Sequence, residues 1–94
     1  MALAFGSPDD LPPITSIKAL TGHTVAAAGA MQIACAVWSM QENFVPGAAN
    51  IDQLAPQTAP YPIVVDTRTG RTASALINTF GFGGTYGSLT LAQV

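Results

Sequence analysis

The stretch Thr24-Val25-Ala26-Ala27-Ala28-Gly29-Ala30-Met31-Gln32-Ile33-Ala34-Cys35-Ala36-Val37-Trp38 decides the fold, because after its opening threonine it carries no charge and only one polar side chain, Gln32. Its pattern predicts a helix, and a helix that is apolar all round is buried all round. Ala26, Ala30 and Ala34 recur every four residues with Gly29 beside them, so one side can approach another backbone closely. These features predict an α/β chain with a central helix sandwiched between layers, more layers than a chain this short can supply by itself. The same segment is the only candidate membrane span, but the 17 residues from Thr24 to Met40 reach about 25 Å as a helix, short of a hydrocarbon core of about 30 Å. A buried soluble helix is the expectation.

Composition points the same way. Only 9% of the 94 residues are charged and 49% are hydrophobic, against about 25% charged in an ordinary soluble domain. Three basic and five acidic residues are too few to solvate a free domain of this size, so much of the exterior is expected to lie against other protein. A net charge of −2 with no basic cluster excludes the phosphate-neutralising footprint of nucleic-acid binding. One cysteine and one histidine form neither an internal disulfide nor a closed zinc site. No metal or cofactor is expected, and the cysteine usage fits a cytoplasmic location. Met1 to Gly6 lacks the basic flank and apolar length of a signal peptide.

Working outward from the helix, Leu3-Ala4-Phe5-Gly6 reads as a last helical turn closed by glycine, and so as a truncated helix, followed by a Ser7-Pro8-Asp9-Asp10 turn and the Pro12-Pro13 pair. Ile14-Thr15-Ser16-Ile17 reads as a strand delivering the chain to Lys18 and a Thr21-Gly22-His23 turn. Residues 42–62, with Pro46, Gly47, Pro56, Pro60 and Pro62, form a long irregular connection. Ile63-Val64-Val65-Asp66 and Ala75-Leu76-Ile77-Asn78 read as strands around a turn at Gly70, and Ser88-Leu89-Thr90-Leu91 as a third. A mixed or antiparallel sheet follows. No repeat or internal boundary divides residues 1–94.

The chemistry is concentrated in two places. His23, at the entry to the helix, could hydrogen-bond a substrate carbonyl and stabilise charge developing on oxygen, or could simply be satisfied by local backbone. Lys18 is the only lysine. It is either a fixed charge organising acidic or imidazole partners or a surface residue at a strand end. The loop from Phe80 to Gly87 fails as a dinucleotide fingerprint, since Tyr86 stands where the third glycine is required and no helix follows. It reads as a tight turn whose glycines let N–H groups converge on an oxygen while Phe80 and Phe82 wall an apolar channel, or as a plain hairpin with two core phenylalanines. Cys35 lies mid-helix among alanines and is expected to be an inert packing residue.

These residues resemble the β-ketoacyl-acyl carrier protein synthases, the condensing enzymes of fatty-acid and polyketide synthesis. Thr15-Ser16-Ile17-Lys18-Ala19-Leu20-Thr21-Gly22-His23-Thr24-Val25-Ala26-Ala27-Ala28-Gly29 resembles the family's S-x-K-x-x-x-G-H-x-x-x-A-A-G block. Ile77-Asn78-Thr79-Phe80-Gly81-Phe82-Gly83-Gly84-Thr85-Tyr86-Gly87 resembles its N-S-F-G-F-G-G-T-N-G block. The order of the blocks, their separation and the Val45-Pro46 to Ile51-Asp52 run between them also match.

The resemblance implies the C-terminal part of a thiolase-like layered αβαβα sandwich. It implies decarboxylative Claisen condensation of an acyl thioester with malonyl-acyl carrier protein. His23 then corresponds to a histidine that hydrogen-bonds the malonyl thioester carbonyl, and Lys18 to the lysine held near it. The Phe82 N–H corresponds to an oxyanion-hole donor and its ring to an aromatic gate, with Phe80, Gly81 and Gly83 shaping the loop and Thr21, Gly22 and Asn78 supporting. The family's nucleophilic cysteine and second histidine lie upstream of these blocks, so this segment alone is expected to be inactive and to need the N-terminal part of the synthase. Acyl carrier protein is an expected partner, and the complete enzyme an expected dimer. Tyr86 replaces the usual asparagine and Ala26 the frequent glycine. The alternative is a non-catalytic subunit of the chain-length-factor kind that shapes a partner's acyl pocket.

Overall fold

The computed structural model describes residues 2–94, and their order is a short helix α1 (Ala2–Phe5), a one-turn helix α2 (Lys18–Thr21), the long helix α3 (Ala28–Glu42) and strands β1 (Phe44–Val45), β2 (Arg68–Thr69), β3 (Ser74–Gly81) and β4 (Thr85–Ala92). Single 3-10 turns stand at Pro8–Asp10 and Val25–Ala27. The chain is mixed α/β, with β1 and β2 forming one two-stranded sheet and β3 and β4 another. Its contacts group into two units, one built from the segments up to Gly22 and from Val45–Arg68, the other from His23–Phe44 and Thr69–Val94.

In the first unit, α1 ends at Gly6, whose φ of 91° only glycine adopts freely. Leu11, Ala48 and Val64 form the buried apolar centre. The two strands expected at Ile14–Ile17 and Ile63–Asp66 shrink to one parallel bridge, in which the Ile14 N–H donates to the Pro62 carbonyl at 2.9 Å and the Val64 N–H to the Ile14 carbonyl at 2.9 Å. Pro12, Pro13, Pro60 and Pro62 remove N–H donors just before both segments, which prevents a longer ladder. The chain from 46 to 48 lies against that bridged strand. The Ala48 N–H donates to the Val64 carbonyl at 2.7 Å, and the Gly47 N–H to the Thr67 hydroxyl oxygen at 3.0 Å.

In the second unit, α3 packs against β3. It ends at Asn43, whose left-handed φ of 56° lets its N–H reach the Ser39 carbonyl. Trp38 and Phe44 then meet edge to face at 5.1 Å, and the Gln93 side chain donates to the Met40 carbonyl at 2.9 Å. β3 and β4 pair antiparallel from Ser74↔Ala92 to Gly81↔Thr85. Ala75–Asn78 therefore partners Leu91–Ser88 and not Ile63–Asp66, because the Gly81–Thr85 connection is far shorter than the one through Gly70. With period 2 along the strand, Ala75, Ile77 and Thr79 face α3, and Leu76, Asn78 and Phe80 face away.

The expectation of a helix buried on all sides is not met within these residues. Only Ser39 and Met40 of α3 are buried, and Met31, Val37 and Trp38 are exposed, Trp38 by 60%. One hairpin covers one side of a helix whose other side is equally apolar. None of the helices among the described residues is long and apolar enough to cross a membrane.

Candidate functional site

His23 does not sit at the first turn of α3. It stands five positions before Ala28, just ahead of the Val25–Ala27 3-10 turn. Its orientation is set by backbone: the Val25 N–H donates to His23 Nδ1 at 3.2 Å. A ring nitrogen that accepts carries no proton, so in the neutral ring the proton is on Nε2. The imidazole is exposed, which leaves Nε2–H as an outward donor. Local backbone thus satisfies one nitrogen and prepares the other.

The geometry that makes this bond is strained. Val25 has φ of 51°, a left-handed conformation that is a genuine outlier for a β-branched residue, and its side chain is 75% exposed, so packing does not compensate. Residue type gave no sign of this, since glycine or asparagine would have marked a left-handed position and valine does not. Val25 is the candidate site position that sequence reasoning missed.

Lys18, Thr21 and Gly22 belong to the first unit, whereas His23, Asn78 and the glycine loop belong to the second. Lys18 opens the one-turn helix α2 in place of the expected strand end, and its side chain is exposed. Gly22, with φ of 75°, closes that helix by donating its N–H to the Lys18 carbonyl at 2.9 Å. The Thr21 hydroxyl lies 3.2 Å from the Ile17 carbonyl and 3.0 Å from that of Gly22. The Lys18–Gly22 turn is therefore held by its own backbone.

The glycine segment is a hairpin with a three-residue tip, Phe82-Gly83-Gly84, between paired Gly81 and Thr85. Gly83 and Gly84 have φ of 78° and 80°, where a side chain would strain the backbone. Among the described residues, the Phe82, Gly83 and Gly84 N–H groups make no main-chain hydrogen bond outside the strand ladder. Neither phenylalanine is core: Phe80 is 75% exposed and Phe82 entirely so. Below the tip, the Ser88 hydroxyl donates to Asn78 Oδ1 at 2.6 Å and the Thr79 hydroxyl to the Gly87 carbonyl at 3.3 Å. An open apolar groove of about 250 Å³ runs between α3 and the hairpin, walled by Gly29, Ile33, Ile77, Thr79 and Leu89. Among the described residues no cluster of His, Cys, Asp and Glu could hold a metal ion. Cys35 is free and partly buried.

The imidazole offers an Nε2–H donor and the glycine turn offers main-chain N–H groups, and each is a donor type suited to stabilising negative charge on oxygen. Comparison with known proteins identifies the class. Residues 2–52, more than half of the chain, match the model of the β-ketoacyl synthase C-terminal domain, and the chain belongs to that family. It is 33% identical over 86 residues to 3-oxoacyl-[acyl-carrier-protein] synthase 1 of Escherichia coli (strain K12), covering 92% of this chain and 21% of that protein. It is 36% identical over 82 residues to the enzyme of the same name from Buchnera aphidicola subsp. Schizaphis graminum, covering 87% of this chain and 20% of that protein. Similarity extends to equisetin synthetase of Fusarium heterosporum, 35% identical over 97 residues, covering 87% of this chain and 2% of that protein. The chain thus spans about a fifth of the length of the bacterial relatives. At 92% coverage the first of these alignments extends well beyond the residues of the family match.

Proposed function

We propose that this chain is the C-terminal part of a β-ketoacyl-acyl carrier protein synthase that condenses an acyl thioester with malonyl-acyl carrier protein, and that residues 1–94 contribute one undivided segment of its layered αβαβα sandwich. The observation that carries the reading is the Val25 N–H to His23 Nδ1 bond, which commits Nε2–H to donation.

His23 Nε2–H donates to the thioester carbonyl of the malonyl group. When the bond to the carboxylate breaks and carbon dioxide leaves, the electron pair delocalises onto that oxygen as an enolate, and the donated hydrogen bond strengthens as charge develops. The carbanion carbon attacks the acyl thioester carried on the nucleophilic cysteine of the N-terminal part. The new carbon–carbon bond places negative charge on the acyl oxygen, which accepts a hydrogen bond from the Phe82 N–H, the oxyanion-hole donor, before the cysteine thiolate leaves. Gly81 and Gly83 allow the close approach, Phe80 and Phe82 form the gate, and Asn78, Thr21 and Gly22 hold the two turns. Lys18 supplies a fixed positive charge. The complete enzyme works in the cytoplasm as a dimer, served by acyl carrier protein.

The bare faces of α3 and of the hairpin support the need for the N-terminal part. The test is reconstitution. The isolated chain is expected to form no ketoacyl product from acyl- and malonyl-acyl carrier protein, and the same chain joined to a cysteine-bearing N-terminal part is expected to form it. Product from the isolated chain, or none from the joined protein, refutes the reading.

A further inference from the structure

The glycine tip is closed by the Gly81–Thr85 rung, and the side-chain contact on the rung before it is aromatic. Phe80 on β3 and Tyr86 on β4 are direct cross-strand partners, with ring centroids 5.6 Å apart and planes at 71°. The rung beyond them pairs Gly81, which has no side chain, with Thr85. The hydroxyl contacts of Thr79 and Ser88 fall on the rungs below. Tyr86 is also where this chain departs from the family block, with an aromatic ring in place of the usual amide. An asparagine cannot make an edge-to-face pair with Phe80, so this hairpin is braced in its own way.

We propose that Tyr86 is a positioning residue for the glycine loop: its ring, seated edge to face on Phe80, pins the two strands at the base of the tip and so fixes the direction in which Phe82 presents its N–H and its ring. The inference rests on the reading of that loop as oxyanion donor and gate. Gly83 and Gly84 are the residues with the greatest backbone freedom, so the direction of the Phe82 N–H depends on how firmly the strands entering and leaving the tip are held. A pair of this geometry shifts a local equilibrium by about two- to tenfold. The Tyr86 hydroxyl has no part in the pair. Its removal leaves the brace intact.

The test is steady-state kinetics on the full-length synthase. Tyr86→Leu is expected to lower kcat for condensation about three- to tenfold while KM for malonyl-acyl carrier protein stays within about twofold, because the oxyanion contact is made in the transition state. Tyr86→Phe is expected to stay within about twofold of wild type in both constants. Phe80→Leu breaks the pair from the other strand and is expected to give a similar kcat loss, and the double variant little more, which keeps the test decisive if one single variant folds poorly. Wild-type kcat in Tyr86→Leu, an equal loss in Tyr86→Phe, a loss confined to KM, or fully multiplicative single losses would each overturn the proposal. Failure here with His23→Ala still abolishing decarboxylation would discard the brace alone. Loss-free His23→Ala would discard the underlying reading.

Discussion

Replacing Gly47 with alanine should destabilise the protein severely. A Cβ built on Gly47 would lie 2.7 Å from Thr67 N and 2.8 Å from Asp66 C, and closer still to the Val65 carbonyl oxygen. All three atoms are backbone, so no side chain can swing aside. Reaching ordinary van der Waals contact requires the 65–67 segment to retreat by roughly 1 Å or more at its closest point. That retreat stretches the hydrogen bonds from the Gly47 N–H to the Thr67 hydroxyl and from the Ala48 N–H to the Val64 carbonyl, at 3.0 and 2.7 Å. Overpacking of this kind costs about 1–3 kcal/mol and each weakened hydrogen bond about 1 kcal/mol, for a total of about 3–5 kcal/mol. This is a large share of the ~5–15 kcal/mol that holds a typical protein folded. Chemical denaturation of the full-length synthase measures it, with Gly70→Ala as the control, since a Cβ there meets nothing within 4 Å. The control should change stability by less than about 0.5 kcal/mol. If Gly47→Ala unfolds at the same denaturant concentration as Gly70→Ala, the close approach is not real.

Val25→Gly keeps the N–H that His23 needs and relieves the left-handed strain, so it should retain decarboxylation within about twofold and raise stability by about 0.5–1 kcal/mol. Val25→Pro removes that N–H and forces φ negative, and should lower decarboxylation by about tenfold or more in a malonyl-acyl carrier protein assay. Gly83→Val places a β-branched residue at φ of 78° and should lower kcat by at least about tenfold with little change in KM. Hydrogen bonds from the Ser7 hydroxyl and then the Ser7 N–H hold the Asp10 carboxyl below its ordinary value of 3.8. The folded state favours the ionised form, so this contribution is complete above pH 3.8 and disappears as pH falls through the depressed value. In Ser7→Ala, NMR titration should find Asp10 moved upward toward that ordinary value.

The glycine hairpin was legible from sequence because alternating strand residues flank a Phe-Gly-Gly tip whose positive φ angles only glycine accepts readily. The α3 helix was legible in existence but not in its start, since the left-handed Val25 delays α-helical geometry to Ala28. The strands at Ile14 and Ile63 were overread: β-branched residues marked extended chain, while the prolines beside them denied it a ladder. Gly47 was counted among loop residues, and its need for glycine arises from the backbone of residues 65–67, a long-range contact that local pattern does not report. Of the site, His23 was visible as a residue but its tautomer was not, because the partner of Nδ1 is a main-chain N–H two positions on.

The central claim is that His23 Nε2–H stabilises the oxygen charge formed as malonyl-acyl carrier protein loses carbon dioxide. Carbon dioxide release by the full-length synthase carrying His23→Ala tests it most directly. The account predicts a loss of at least about 100-fold with the melting temperature nearly unchanged. Decarboxylation at the wild-type rate would contradict it and would leave the chain a pocket-shaping subunit.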